Sequence, residues 1–100
     1  MPRVIYSPEA EDDLLAIGAY IARDSPNRAR AFIARIEKRV DALSVLPNSG
    51  RRRPEIGPEF RSIPVPPVVV FYRVIDKGTT VEIVRIIDGR RDLQTLFFCK

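Results

Sequence analysis

The chain has 100 residues, 45% hydrophobic and 30% charged, which is the balance of one globular domain and not of a disordered protein. It contains no histidine and a single cysteine, Cys99, so His-dependent triads, HExxH metal sites, a four-ligand zinc cluster and an intrachain disulfide are all excluded. The net charge of +4 is lopsided: residues 1–50 carry 7 Lys or Arg against 7 Asp or Glu, while residues 51–100 carry 10 against 6, so the expectation of an anionic partner attaches to the second half.

Arg3–Tyr6 is short and β-rich, a first strand. Ser7-Pro8-Glu9 then starts a helix, with Ser7 as N-cap, Pro8 at the first helical position and Glu9, Glu11, Asp12 and Asp13 favourably placed on the helix dipole. Ala10, Leu14, Ile17 and Ile21 line one face of it. Ser25-Pro26 repeats the device and opens a second helix with an apolar stripe of Ala29, Phe32, Ile33, Ile36, Val40 and Leu43. Arg28, Arg30, Arg35, Lys38 and Arg39 fall on its other faces. So short a connection predicts an antiparallel helical hairpin, which Pro47 closes.

Asn48 to Glu59 reads as a loop carrying the basic run Arg51-Arg52-Arg53. Three strands follow: Arg61–Val65, Val68–Ile75 and Thr80–Ile87. Pro64-Val65-Pro66-Pro67 marks the first turn between them, and Asp76-Lys77-Gly78-Thr79 the second. The order β-α-α-β-β-β predicts an α+β domain. Its helical hairpin covers one face of a small twisted antiparallel sheet, and the other face stays partly open as a binding surface. The longest apolar run, Val68–Tyr72, is too short to span a membrane, and no apolar leader follows Met1, so the expected location is cytoplasmic.

The five glycines stand singly at 18, 50, 57, 78 and 89, which leaves no phosphate-cradling loop. No cofactor or metal is expected. The residues left for chemistry or recognition are mostly arginines. Arg61, Arg73 and Arg85 interrupt three strands, where an unpaired guanidinium is costly. The two-residue period puts Arg85 on the face of Val81, Ile83 and Ile87, with Glu82 opposite, so Arg85 must reach a carboxylate or the rim of the sheet. Tyr72, in the most apolar strand, is expected to face the core with its hydroxyl satisfied. Asp88-Gly89-Arg90-Arg91-Asp92 is a turn displaying two guanidiniums, suited either to internal Arg–Asp pairing or to bidentate binding of phosphate or carboxylate on a partner.

Several of these segments, taken in order, resemble the ParE branch of the ParE/RelE superfamily, the toxin halves of bacterial type II toxin–antitoxin pairs. They are Ser7-Pro8-Glu9-Ala10 with Asp13-Leu14 and Ile17, Tyr20, Ile21 and Ala22; Leu46-Pro47 with Ser49-Gly50-Arg51; Gly57 with Phe60-Arg61-Ser62; Val70–Val74; and Val84–Asp92. The resemblance covers nearly the whole chain. It implies the fold just described, one toxin domain over residues 1–100, and a hetero-oligomer with a wrapping ParD-like antitoxin. It also implies DNA gyrase as the target, with Arg90, Arg91, Leu93, Leu96, Phe97 and Phe98 as the contacts. Arg51, Arg52, Arg53, Arg61, Arg73 and Arg85 make up an expected basic surface.

RelE-like members of the superfamily instead cleave ribosome-bound mRNA, and under that alternative Arg61, Arg85 and Arg91 would bind phosphate and the transition state. The chain departs from the RelE pattern. Val69 falls where a sheet arginine is found, Phe97 where a terminal tyrosine is found, and Asp88 where a histidine commonly precedes the glycine. The resemblance therefore favours a gyrase inhibitor over an RNase. A third possibility is an inactive, toxin-derived module that only binds an antitoxin.

Overall fold

The computed structural model describes residues 2–88. The elements are β1 (Arg3–Tyr6), α1 (Pro8–Ala22), α2 (Pro26–Asp41), β2 (Arg51–Arg52), β3 (Phe60–Val65), β4 (Val68–Ile75) and β5 (Thr80–Asp88). Both helices start as the sequence predicts. The Ser7 Oγ accepts the Ala10 N–H at 3.0 Å and the Ser25 Oγ accepts that of Arg28 at 3.2 Å, with Pro8 and Pro26 as first helical residues. Three residues join the helices.

The five strands form one sheet in the order β1-β5-β4-β3-β2. β2 to β5 pair antiparallel, as expected, but β1 joins β5 in parallel, so the sheet is mixed and not wholly antiparallel. The helical hairpin explains this. After β1 the chain spends two helices and the whole β2–β4 meander before β5 returns beside it, and a connection that long allows a parallel partner where a tight turn does not. Within the segment expected to be loop, Arg51 and Arg52 pair with Ser62 and Arg61 as a two-residue edge strand. Pro64 is the fifth residue of β3 and not part of the turn. β2 extends only as far as Ser62, so no neighbour asks Pro64 for an N–H.

The main core lies between the hairpin and the sheet. Ile36, Val40, Val70, Tyr72, Val81 and Ile83 are fully buried there, with Phe32, Leu43, Ile63, Val65, Val68 and Ile86 around them. A bulge in β5 decides which residues reach it. Phe71 faces Arg85 and Tyr72 faces Ile83, which leaves Val84 without a partner. The extra residue breaks the two-residue alternation. Ile83 and Ile86 therefore share the helix-side core. Ile87, expected on the face of Val81 and Ile83, joins Phe71 and Ile56 on the opposite side. That opposite face is less open than expected, because the segment after β2 lays Ile56 against Phe71 and Ile87 as a second small core.

At the β4–β5 turn, Asp76, Lys77 and Gly78 all take positive φ (53°, 57° and 89°). The Asp76 carbonyl holds the turn by accepting both the N–H and the Oγ1–H of Thr79. No helix among the described residues is long and apolar enough to cross a membrane.

Candidate functional site

The arginines divide into two groups by what their guanidiniums touch. Arg85 sits beside the bulge, and α1 passes alongside it. Its Nε and Nη2 donate to the two oxygens of Asp13 at 2.8 and 3.1 Å, and the same Asp13 Oδ2 accepts the Ile86 N–H at 2.9 Å. This is the carboxylate that Arg85 needed. The hydrogen bond that Arg85 donates to Asp13 raises the Arg85 pKa above its ordinary value, against the opposing effect of burial. β1 pairs with β5 only as far as Ile83, and Ser7, the N-cap of α1, together with Asp13 of α1 takes over the edge beyond that point. The Ser7 N–H donates to the Ile83 carbonyl at 2.9 Å, the Ser7 Oγ donates to the Val84 carbonyl at 2.8 Å, and Asp13 accepts from Ile86. The sequence places Asp13 among the acids of the first two turns of α1. Its larger role, tying helix to strand, depends on a residue 72 positions away.

Arg61 is likewise committed to the fold. Its Nη1 donates to the carbonyls of Asn48 and Gly50 at 3.0 and 2.9 Å. Beside it, the fully buried Tyr72 hydroxyl donates to the Pro47 carbonyl and accepts the Gly50 N–H, both at 2.8 Å. Burial raises the Tyr72 pKa. The core-facing, satisfied tyrosine expected from the sequence is thus what the structure contains. Gly50 is required there, since a Cβ would stand 2.6 Å from the Tyr72 ring and 2.8 Å from the Ser62 carbonyl oxygen. Arg61 lies on β3 and Arg85 on β5 with β4 between them, and the first is bonded to the chain before β2 while the second is bonded to α1, so the two guanidiniums do not converge.

Arg53 and Arg73 line the face away from the helices. Arg73 donates through Nε to Glu82 at 2.7 Å and lies 6.0 Å from the Phe60 ring centroid. Arg53 donates to the Ser62 Oγ at 2.8 Å, pairs with Glu55 at 3.3 Å and stands 5.5 Å over Phe71. The Glu55 carboxyl is held below the usual carboxylate range, first by its own backbone N–H and then by Arg53 and Arg51. Arg51 and Arg52 are exposed and make no ion pair among the described residues. Of the expected basic surface, four members are therefore bonded to other parts of the fold and two project from the β2 edge. Arg90, Arg91, Leu93, Leu96, Phe97 and Phe98 lie outside the described residues.

Among the described residues no group of three or more Cys, Asp or Glu side chains is arranged to hold a metal ion. Two shallow depressions of about 380 Å³ each run beside α2. One is lined by Ile21, Phe32 and Pro67 with Arg28 and Arg35, and the other by Leu43, Ser49 and Pro64 with Arg39 and Arg51.

Comparison with known proteins agrees with this architecture. The family described as the ParE toxin of the type II toxin–antitoxin system parDE matches residues 4–93. Toxin ParE3 of Caulobacter vibrioides is 35% identical over 94 residues, covering 93% of this chain and 92% of that protein. Among solved structures, a chain of the chromosomal ParDE toxin–antitoxin system of P. aeruginosa superimposes with a TM-score of 0.73 at 27% identity, covering 88% of this chain and 96% of that one. A chain of the RelBE2 toxin–antitoxin complex of Mycobacterium tuberculosis, at 22% identity and a TM-score of 0.61 over 88% of this chain and 99% of that one, shares the fold. The chain belongs to the ParE toxin family of type II toxin–antitoxin systems.

Proposed function

We propose that this toxin arrests growth by inhibiting DNA gyrase and is neutralised by direct binding of a cognate, ParD-like antitoxin in the cytoplasm. The observation that carries the non-nucleolytic reading is the commitment of Arg61 and Arg85 to the fold. Two of the three arginines that RNA cleavage would use are occupied by backbone carbonyls and by Asp13, and β4 separates the strands that carry them. A transition-state binder must be free to meet charge as it develops, and a guanidinium already bonded at two points is not. The match to the ParE family over residues 4–93 supports the same reading. Under it the contacts to gyrase come from Arg90, Arg91, Leu93, Leu96, Phe97 and Phe98, with Arg51 and Arg52 as the exposed part of the basic surface.

The test is to add purified toxin to gyrase and to a translating ribosome extract in parallel. Inhibited supercoiling or accumulated gyrase–DNA cleavage complexes, with mRNA intact and activity restored by antitoxin, is the expected result. Cleaved mRNA with gyrase untouched would overturn the proposal in favour of the RNase. No effect in either assay, together with a stable antitoxin complex, would overturn it in favour of an inactive binding module.

A further inference from the structure

On α2, Arg28, Phe32, Arg35 and Arg39 recur at spacings of four, three and four, which puts them on one side of the helix. Both acids of α2, Glu37 and Asp41, sit roughly 200° around the helix from Arg35 and Arg39, so the arginine stripe has no carboxylate of its own helix beside it. Arg28, Arg39 and Arg51 make no ion pair among the described residues, and the Arg35 guanidinium rests 5.1 Å over the Phe32 ring. The two depressions follow this stripe, one towards Pro67 and the other towards the open part of the β3 edge at Pro64. Arg28 and Arg39 are eleven residues apart, roughly 16 Å or three helical turns. The result is a groove whose apolar wells alternate with guanidiniums that make no ion pair among the described residues.

We infer that this groove seats an acidic, amphipathic segment of the antitoxin, with its apolar side chains in the wells and its carboxylates on Arg28, Arg35, Arg39 and Arg51. The inference rests on the toxin–antitoxin reading given above and adds a site to it. Charge complementarity selects an anionic occupant. The wells select a protein over a nucleic acid, because a phosphodiester backbone brings nothing apolar to them. Phe32, the aromatic residue in the groove, is only 8% exposed and already covered by Arg35, so it offers no ring face to a base. Strand addition is also disfavoured. Two residues beyond Ser62, where β2 ends, the β3 edge presents Pro64, which has no N–H to donate. Recognition is therefore by side chains.

The test uses full-length toxin and the antitoxin encoded by the adjacent reading frame, with affinity measured at two salt concentrations for wild type, Arg39→Glu and Arg30→Glu. Both variants change the net charge equally and both sites are exposed on α2, but Arg30 lies away from the groove and, among the described residues, donates to Asn27. Thermal melts confirm that each variant folds as the wild type does. The expected result is about a tenfold or greater loss of affinity for Arg39→Glu, with a shallower salt dependence, against at most about a twofold loss for Arg30→Glu. Equal losses, or none, while wild type binds, would overturn the groove and leave the toxin–antitoxin reading standing. A wild-type toxin that binds no antitoxin would overturn both. Arg39→Glu weakening a labelled duplex oligonucleotide but not the antitoxin would overturn the groove in favour of nucleic acid.

Discussion

Asp13 and Arg85 form a two-point ion pair between the second turn of α1 and the bulged part of β5, and the same carboxylate accepts the Ile86 N–H. The pair joins the layers where the parallel β1–β5 pairing has run out. Asp13 is 16% exposed and Arg85 24%, so its removal leaves a partly buried guanidinium and a strand amide without an acceptor. Asp13→Ala is expected to destabilise the fold by about 2–4 kcal/mol. Arg73 and Glu82 pair more closely, at 2.7 Å, but Arg73 is 39% exposed. Glu82→Gln is therefore expected to cost under about 1 kcal/mol and to lose that effect in high salt. Urea denaturation of both variants checks the contrast, and equal costs would show that solvent exposure is not what separates the two pairs.

The Tyr72 hydroxyl holds the chain between α2 and β2 by bonding both Pro47 and Gly50. Tyr72→Phe keeps the ring but leaves the Gly50 N–H without its acceptor, an expected cost of about 1–3 kcal/mol. Hydrogen exchange at the Gly50 amide should accelerate in that variant more than exchange at Ile36 in the core. Gly50→Ala is expected to destabilise by about 1–3 kcal/mol through overpacking against the same ring, and Tyr72→Phe should not relieve it, because the ring carbon and the Ser62 carbonyl obstruct it as well.

Alkaline pH should weaken the fold through Tyr6. Its phenol is pushed up from 10.0 to about 12, chiefly by burial and further by the nearby Glu37 and Asp41. A phenol that keeps its proton longer in the folded state contributes stability that is fully present below pH 10 and is lost as pH rises through about 12. The midpoint of urea unfolding should therefore fall across that window, and fall less in Tyr6→Phe. Tyr72, also raised, leaves a residual slope. An identical slope in wild type and Tyr6→Phe would place the alkaline sensitivity elsewhere.

Arg90→Glu with Arg91→Glu is expected to abolish inhibition in the supercoiling assay, while Arg52→Glu reduces it by less than about threefold, the size of a rim-charge effect on encounter. Titrating each purified variant against gyrase separates the two. Retention of full potency by the double variant would remove this pair from the target contacts.

Both helices, the strands β1, β3, β4 and β5, and their order were legible in the sequence, whereas the two-residue strand β2 was not. Two Ser-Pro helix starts, the apolar stripe from Ala29 to Leu43 and the β-branched runs are local signals, and those elements formed where their own residues favour them, while β2 formed only because β3 offered it an edge. The need of Arg85 for a carboxylate was also legible, because a strand arginine without one is costly. The tertiary structure alone decided the partners. Which acid answers Arg85, which amide answers Tyr72 and whether β1 runs parallel to β5 depend on contacts between residues far apart in the chain, on which local periodicity carries no information. The bulge at Val84 is the clearest case. One unpaired residue moves Ile86 to the helix side and Ile87 to the other, and a strict two-residue count cannot foresee it, because the extra residue is fixed by how β4 and α1 together hold β5.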